Sequence, residues 1–415
     1  MNDTSEIKPV IRRLFLFTAM FAMVNVAFQF GEVIARKSLA ATPLQVTILT
    51  MMFPMTSIIS IWVGRYLSGR DQRPLIRVTG TIAVAALASG LLLTTYWHLF
   101  GIFLVFALVS SAQTLAQTRI LQQYIPANRT GKMLGMAQGL GMITGAIYSA
   151  VGGYWLDHVY HGWQSLFFVT GLLGFIGVLA LASIPTRNED HIDRFHFRRD
   201  NFFAPLSEVI ALLKRRKDFL RFEMAFMLYG VAFMMQLPVI PLYLVDDLQL
   251  HYSDIGLARG TIFQLVMIAG IPFYGRLFDR STPHRLSMQV FALGALFPLV
   301  LLSASLFDGA MQKTVVMIAF GLFGAIMSGV IMLWNLSAMR FAQSGEDVAV
   351  YQSVHIAATG VRGAFAPLMG LGITTLFGNR IALAVASLFW IAASVAMIVA
   401  RKYDVKLGEN ISLRV

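Results

Sequence analysis

The 415-residue chain has no cysteine, and only 13% of its residues are charged. The first absence excludes disulfides, thiolate-metal sites and thiol nucleophiles. The second excludes an ordinary water-covered domain, in which about a quarter of the residues are charged. No GxxxxGK[ST] phosphate loop occurs, so ATP hydrolysis does not drive this protein directly. Clustered His and Asp ligands and a nucleophile-base arrangement are also missing, so we expect no enzyme, no cofactor and no metal. The 22 methionines have no Cys or clustered His partners and read as packing residues. Only one polar gap is long, residues 185–218, and it divides the chain near its middle.

Apolar residue types are abundant instead. They make up 57% of the chain, and the mean hydropathy is +0.68. At about 20 residues per bilayer-crossing helix, this length holds about a dozen spans. Apolar windows fall at 14–36, 44–64, 75–96, 99–122, 133–155, 163–184, 219–245, 254–275, 286–306, 314–338, 350–376 and 380–400. The expected fold is an all-α membrane protein with twelve transmembrane helices in two six-helix bundles, 14–184 and 219–400. Residues 1–13 and 401–415 are read as tails, and the tail after Arg401 is too short to be a separate domain. Lys8, Arg12 and Arg13 precede an apolar run with no small-residue cleavage site, so this start is read as the first helix and not as a removed signal. Within the central loop, "FFAPLSEVIALLKRR" is amphipathic and suits the membrane surface.

Lys and Arg set the orientation. With the N-terminus inside, the external side holds Arg36, Lys37, Arg259, Lys313 and Arg380, and Arg362 lies within a span. The other 27 of the 33 cations fall on the cytoplasmic side. Both termini are therefore expected in the cytoplasm, in a plasma or bacterial inner membrane. The net charge of +12 is mostly topology. The cations are scattered over short loops and form no interleaved basic patch, so no nucleic-acid partner is expected.

One short motif occurs twice. "VGRYLSGRDQRP" starts at Val63 and "YGRLFDRSTPHR" at Tyr274, and their Gly-Arg pairs, at Gly64 and Gly275, are 211 residues apart. Each joins the second and third helices of its half. Leu39 and Leu248, and Val46 and Ile255, repeat at a spacing of 209. Twelve helices, a six-plus-six repeat, a long basic central loop and this hinge resemble the major facilitator superfamily over nearly the whole chain. Gly275, Leu277, Asp279, Arg280 and Arg285 fit its loop signature, and so do Gly64, Arg70 and Arg73. Ser68 stands where the family has an acid. The resemblance implies a cytoplasmic gate at Gly64, Arg70, Arg73, Gly275, Asp279 and Arg280. Two marks of drug-proton antiporters are missing: Arg119 sits at the end of the fourth helix and not within it, and Tyr148-Ser149 replaces Gly-Pro in the fifth.

Polar residues inside the spans form stripes, as they should if they avoid lipid. Thr18, Asn25, Gln29, Glu32 and Arg36 fall within about 60° on the first helix, at 100° per residue. Gln352, His355, Thr359 and Arg362 fall within about 80° on the eleventh. Ser110, Gln113 and Gln117 mark the fourth, Tyr229 and Gln236 the seventh, and Ser328, Trp334 and Asn335 the tenth. In the family, helices one, four, seven and ten line the central cavity. Helices three, six, nine and twelve, nearly free of polar residues, are expected to face lipid.

The expected function is secondary transport of a small anionic or zwitterionic solute by alternating access, in a monomer, with the proton as candidate coupling ion. Arg362 would attract the solute. Asn25, Gln29, Gln113, Gln117, Gln236, Asn335 and His355 would orient it, and Tyr229, Trp334 and Tyr243 would wall it. Glu32 or His355 would carry the proton. The bland readings are an Arg362 that bonds structurally, a Glu32 that pairs with Arg36 one turn on, and a His355 that is a hydrogen-bonding spacer. Efflux of amphipathic compounds and a solute sensor on the same scaffold are the alternatives.

Overall fold

A computed structural model describes residues 4–56, 71–124, 127–185, 204–342 and 348–412. Gly64 and Arg70 of the first hinge lie outside the described residues. Among these residues the protein is all-helical, with no strand. The first six helices are α1 (Thr4–Lys37), α2 (Pro43–Thr56), α3 (Arg73–Ala88), α4 (Tyr96–Tyr124), α5 (Ala127–His158) and α6 (Gly162–Ala182). The amphipathic loop segment is α7 (Ala204–Arg215). Six more follow: α8 (Lys217–Leu242), α9 (Tyr252–Arg280), α10 (Pro283–Leu306), α11 (Gly309–Phe341), α12 (Val348–Phe377) and α13 (Asn379–Ser412). Among the described residues, nine helices are long and apolar enough to cross a membrane. The described part of α2 and the helices α4 and α5 are not among those nine.

Two helices depart from regular geometry where the sequence carries breakers. Pro238 and Pro241 remove two backbone donors from α8, which unwinds into a π-turn at Tyr243–Asp247. The helix α9 holds a π-segment, Gly256–Ile262. The second hinge closes as its residues dictate: Thr282 caps α10 by accepting the N–H of Arg285, and Pro283 occupies the first turn. The last helix runs on to Ser412, past the apolar window that ends at residue 400.

The chain folds as two compact units. One contains residues 1–196 and 249–265, the other 197–248 and 266–415. Their internal packing repeats. In the first unit α1 packs on α5 and α6, and α3 on α4 and α6; in the second α8 packs on α12 and α13, and α10 on α11 and α13. Glycines permit these approaches: a Cβ on Gly177 would lie 2.9 Å from Met20, and one on Gly294 would lie 2.2 Å from the Trp390 ring. Aromatic rings fill both cores, with Phe28 between Phe53, Phe103 and Phe106 in one unit. In the other, Phe226, Tyr229, Phe291 and Trp390 form a cluster. The third, sixth, ninth and twelfth membrane helices, α3, α6, α10 and α13, show exposed apolar faces, including Val78, Leu172, Leu296 and Leu388. Faces of this size in contact with water would be aggregation sites, and lipid is the solvent that suits them.

Candidate functional site

In the second unit the sequence's most expensive residue has a built setting. Arg362 on α12 is 2% exposed. One of its amines (Nη2) donates to Thr359 Oγ1 at 2.8 Å, and Thr359 in turn donates to the His355 carbonyl at 2.9 Å. Its guanidinium stands 5.8 Å from the Phe226 ring centre and 5.9 Å from that of Tyr229, within cation-π range. Among the described residues, Nε and Nη1 have no hydrogen-bond partner. A Cβ on Gly230 of α8 would lie 2.2 Å from Arg362 Cδ, so only glycine leaves the cation its place. Burying a guanidinium costs several kcal/mol unless it is well paired, so this is the most costly side chain described in the second unit.

Two turns below, His355 is 1% exposed and Glu223 of α8 4%. His355 Nδ1 lies 3.0 and 3.1 Å from the two carboxylate oxygens of Glu223, while Nε2 is buried with no partner among the described residues. Phe226 and Trp334 pack edge-on against the imidazole, at 4.6 and 5.6 Å between ring centres. Tyr229 stacks on Phe291 at 4.7 Å. Gln236, two turns past Tyr229, is fully buried, and neither amide atom has a partner among the described residues.

The other expected site residues separate into groups. In the first unit, Gln117 Nε2 donates to Thr18 Oγ1 at 2.8 Å, and Gln113 is buried with an unpaired Nε2. Asn25 is exposed. Asn335, also exposed, spends its amide on the Ile331 carbonyl at 2.8 Å. Of the expected gate, Arg73 is held by Asp71 at 2.9 Å. Asp279 and Arg280 are exposed at the end of α9. A Cβ on Gly275 would meet nothing within 4 Å, so close packing does not explain this glycine.

Glu32 is held by Arg259, a residue of the same unit from the start of α9. This partner is far along the chain, in contrast to the expected Arg36, whose Nη1 donates to the Ala41 carbonyl at 2.9 Å. Around it the segment 249–265 is fastened to α1 and α5. Lys37 donates to the Leu250 carbonyl, Ser149 to that of Gly256 and Thr261 to that of Ala146. Asp157 accepts the backbone N–H groups of Tyr252 and Ser253, at 3.0 and 2.8 Å. A Cβ on Gly153 would lie 2.7 Å from the Tyr252 carbonyl, so small residues set the approach.

Burial alone would raise the Asp157 carboxyl. The hydrogen bonds from Ser253 and Tyr252 and the Lys37 charge outweigh it and hold the group below the usual carboxylate range. A group lowered on folding stabilises at pH values above its unfolded pKa and stops doing so as pH falls through the folded one. Removing this cap costs about 1 kcal/mol, or about fivefold in local opening. Hydrogen exchange at the Tyr252 and Ser253 amides should therefore be about fivefold faster in Asp157→Ala at pH 7. The difference should persist through the usual carboxylate range and shrink only at lower pH, as the depressed folded pKa is passed. Equal exchange at pH 7 would remove Asp157 from this role.

A family model described as Major Facilitator Superfamily matches residues 14–342 and, again, 222–410. The chain belongs to the major facilitator superfamily. Solved superfamily-type transporters share the fold at low identity. The nucleoside transporter NupG is 14% identical, with a TM-score of 0.70 over 97% of this chain and 100% of that one. The xylose transporter XylE from E. coli is 15% identical, with a TM-score of 0.65 over 95% and 97%. A POT family transporter in complex with a thioalcohol-conjugated peptide is 10% identical, with a TM-score of 0.76 over 95% and 96%. A search of curated proteins finds no match.

Sequence reasoning undervalued Glu223, Gly230, Phe226, Asp157 and Arg259. For Glu223 a signal existed: it precedes Phe226 and Gly230 at helical spacing in a largely apolar run. For Arg259 and Asp157 there was none, because a charge near a helix end reads as topology.

Proposed function

We propose that this superfamily member is a secondary active transporter that moves a small anionic or zwitterionic solute across a plasma or bacterial inner membrane by alternating access. Both termini are cytoplasmic in this reading. The observation that carries it is Arg362, buried, on an aromatic seat, with Nε and Nη1 unpaired. A carboxylate or phosphate matches the planar fork of a guanidinium. Gln236 supplies a neutral donor and acceptor, unpaired, about 10 Å further along α8 than Tyr229. Tyr229 and Trp334 serve as apolar walls, and Gln29, Gln113, Gln117, Asn25 and Asn335 remain candidates for the solute's path. The neighbours' solutes, nucleosides, xylose and peptides, differ too widely to transfer.

The test is thermal stabilisation of the purified protein by a panel of acetate, succinate, aspartate, inorganic phosphate, nucleosides, sugars and amphipathic cations. A bound solute at a hundred times its Kd adds about 2.7 kcal/mol. Stabilisation by anions or zwitterions is the expected result. Stabilisation by amphipathic cations alone would favour drug efflux and overturn the anion reading.

Asp279, exposed and with no ion pair to a described residue, is proposed as a gate residue and not a fold requirement. Asp279→Asn should change stability by less than about 0.5 kcal/mol. It should lower uptake of the solute found in the panel while expression stays normal. Equal loss of both would show a structural role.

A further inference from the structure

We propose that the second unit carries a binding site for an anionic phospholipid: an apolar groove between α8, α12 and α13 takes an acyl chain, and Arg221 at its end holds the headgroup phosphate. The site needs only the membrane setting of the chain. The orientation read above adds that the leaflet is the cytoplasmic one, where anionic lipids concentrate.

Both α12 and α13 pack on α8, and the groove between them has a volume of about 760 Å³. Met224, Leu228 and Val231 of α8 form one wall, Phe365 of α12 a second, and Ala396 and Val399 of α13 the third. The groove opens outward, with Met224 60% and Val399 46% exposed. Arg221, Met224, Leu228 and Val231 follow one another at helical spacing and share one face of α8. From Arg221 to Val231 that face rises about 15 Å. Half of a bilayer's hydrocarbon core is also about 15 Å thick. The groove is therefore one leaflet deep. Among the described residues that line it, only Arg221 and Tyr403 are polar, and they meet at one end, the guanidinium 6.0 Å from the ring centre.

The same end gathers charge. Lys217 lies one turn before Arg221 on α8, and Arg401 and Lys402 adjoin Tyr403 on α13. Lys217, Arg401 and Lys402 are exposed. The nearby Asp218 is paired with Arg216 at 2.8 Å. A small soluble anion would use these cations and leave the groove empty. A neutral apolar molecule would fill the groove and ignore the cations. A phospholipid of net negative charge uses both, and a zwitterionic one gains less because its own cation faces the cluster. Basic pockets between membrane helices recognise anionic headgroups in this way. Tyr403, with an apolar body and a polar tip, suits the headgroup level. Phe226, Tyr229 and Thr359, which surround Arg362, do not line the groove, so this is a second site.

The chain has no cysteine, so Val395→Cys accepts a single fluorophore. Val395 is exposed beside the groove without lining it. The labelled full-length protein is placed in vesicles of phosphatidylcholine and phosphatidylglycerol, with bromine on the chains of one lipid at a time. Quenching titrations should give phosphatidylglycerol an association constant about fivefold or more above that of phosphatidylcholine at this label. At Leu172→Cys, exposed on α6 of the other unit, the two lipids should be equal. Arg221→Gln should lower the preference about fivefold, the worth of one cation near an anionic surface. Ala396→Phe, which fills the groove and keeps every cation, should abolish it. Where Arg221→Gln fails to fold, the exposed pair Arg401→Gln and Lys402→Gln takes its place, and an unchanged preference there would overturn the headgroup assignment. Equal constants at position 395 would overturn the site and leave an ordinary lipid-facing surface. A preference that survives Ala396→Phe would mean surface charge alone and overturn the groove. A label quenched by neither lipid would mean that a second protein chain covers this face, which also overturns it. None of these readings uses a transported solute, so the anion panel and the lipid site stand or fall separately.

Discussion

Arg362→Met should raise the melting temperature of the ligand-free protein and abolish its stabilisation by small anions. The two effects have one cause. Arg362 is buried with Nε and Nη1 unpaired, so the apo protein bears a desolvated charge that a methionine of similar volume removes. Replacing buried charges with packed apolar side chains is often stabilising by about 1–4 kcal/mol. Arg362→Ala also relieves the charge but leaves a cavity costing about 2–5 kcal/mol, so its apo stability should change little or fall. In both variants the anion-induced gain of about 2.7 kcal/mol should be gone. Arg362→Lys should restore part of it, since an ammonium attracts anions but lacks the fork. A methionine variant less stable than wild type, with its anion response intact, would mean that Arg362 is a structural bond.

Gly230→Val should reproduce most of the loss of anion binding without touching a charged residue. A Cβ at this position would lie 2.2 Å from Cδ and 2.3 Å from Nε of Arg362. Phe226 and Tyr229, on the same helix, also flank the guanidinium and are packed against Phe291 and Trp390, so the valine must displace either the guanidinium or its aromatic neighbours. Overpacking of this kind costs about 1–3 kcal/mol. The discriminating measurement is a double-mutant cycle on melting temperature and anion response. In the Arg362→Ala background the valine should cost little, giving a coupling of about 1–3 kcal/mol. An additive cost would show that Gly230 serves helix packing alone.

The helices were legible in the sequence because apolar runs of bilayer length have few other uses, and the internal repeat was legible because its hinge carries charges. The stripe on α12 was legible too: His355, Thr359 and Arg362 follow helical spacing, and the structure links them through Thr359. Their partners were not legible. Glu223 meets His355 across 132 positions of chain, and the register between α8 and α12 depends on which glycine faces which side chain. A stripe also overcounts. Asn25 and Asn335 share angles with their neighbours yet are exposed, because periodicity gives a face and not what covers it. Glu32 stood out as the most deeply placed acid, with Glu223 its one rival, but its Arg259 partner sits in a stretch that sequence order assigns to the other half. The packing of residues 249–265 within the first unit follows from Gly153, Gly256 and Gly260, where added Cβ atoms would collide with Tyr252, Ser149 and Phe30. Such pairwise fits leave no trace in composition or period.

Counterflow in sealed proteoliposomes tests the central claim most directly. Vesicles preloaded with unlabelled solute, chosen as the anion or zwitterion that stabilises the protein most, are diluted into a trace of the same solute in labelled form, without ATP. The account predicts transient accumulation of label above equilibrium in wild-type vesicles and none in vesicles with Arg362→Met protein. Binding without any exchange of label would contradict it and identify the protein as a sensor that holds its solute in place.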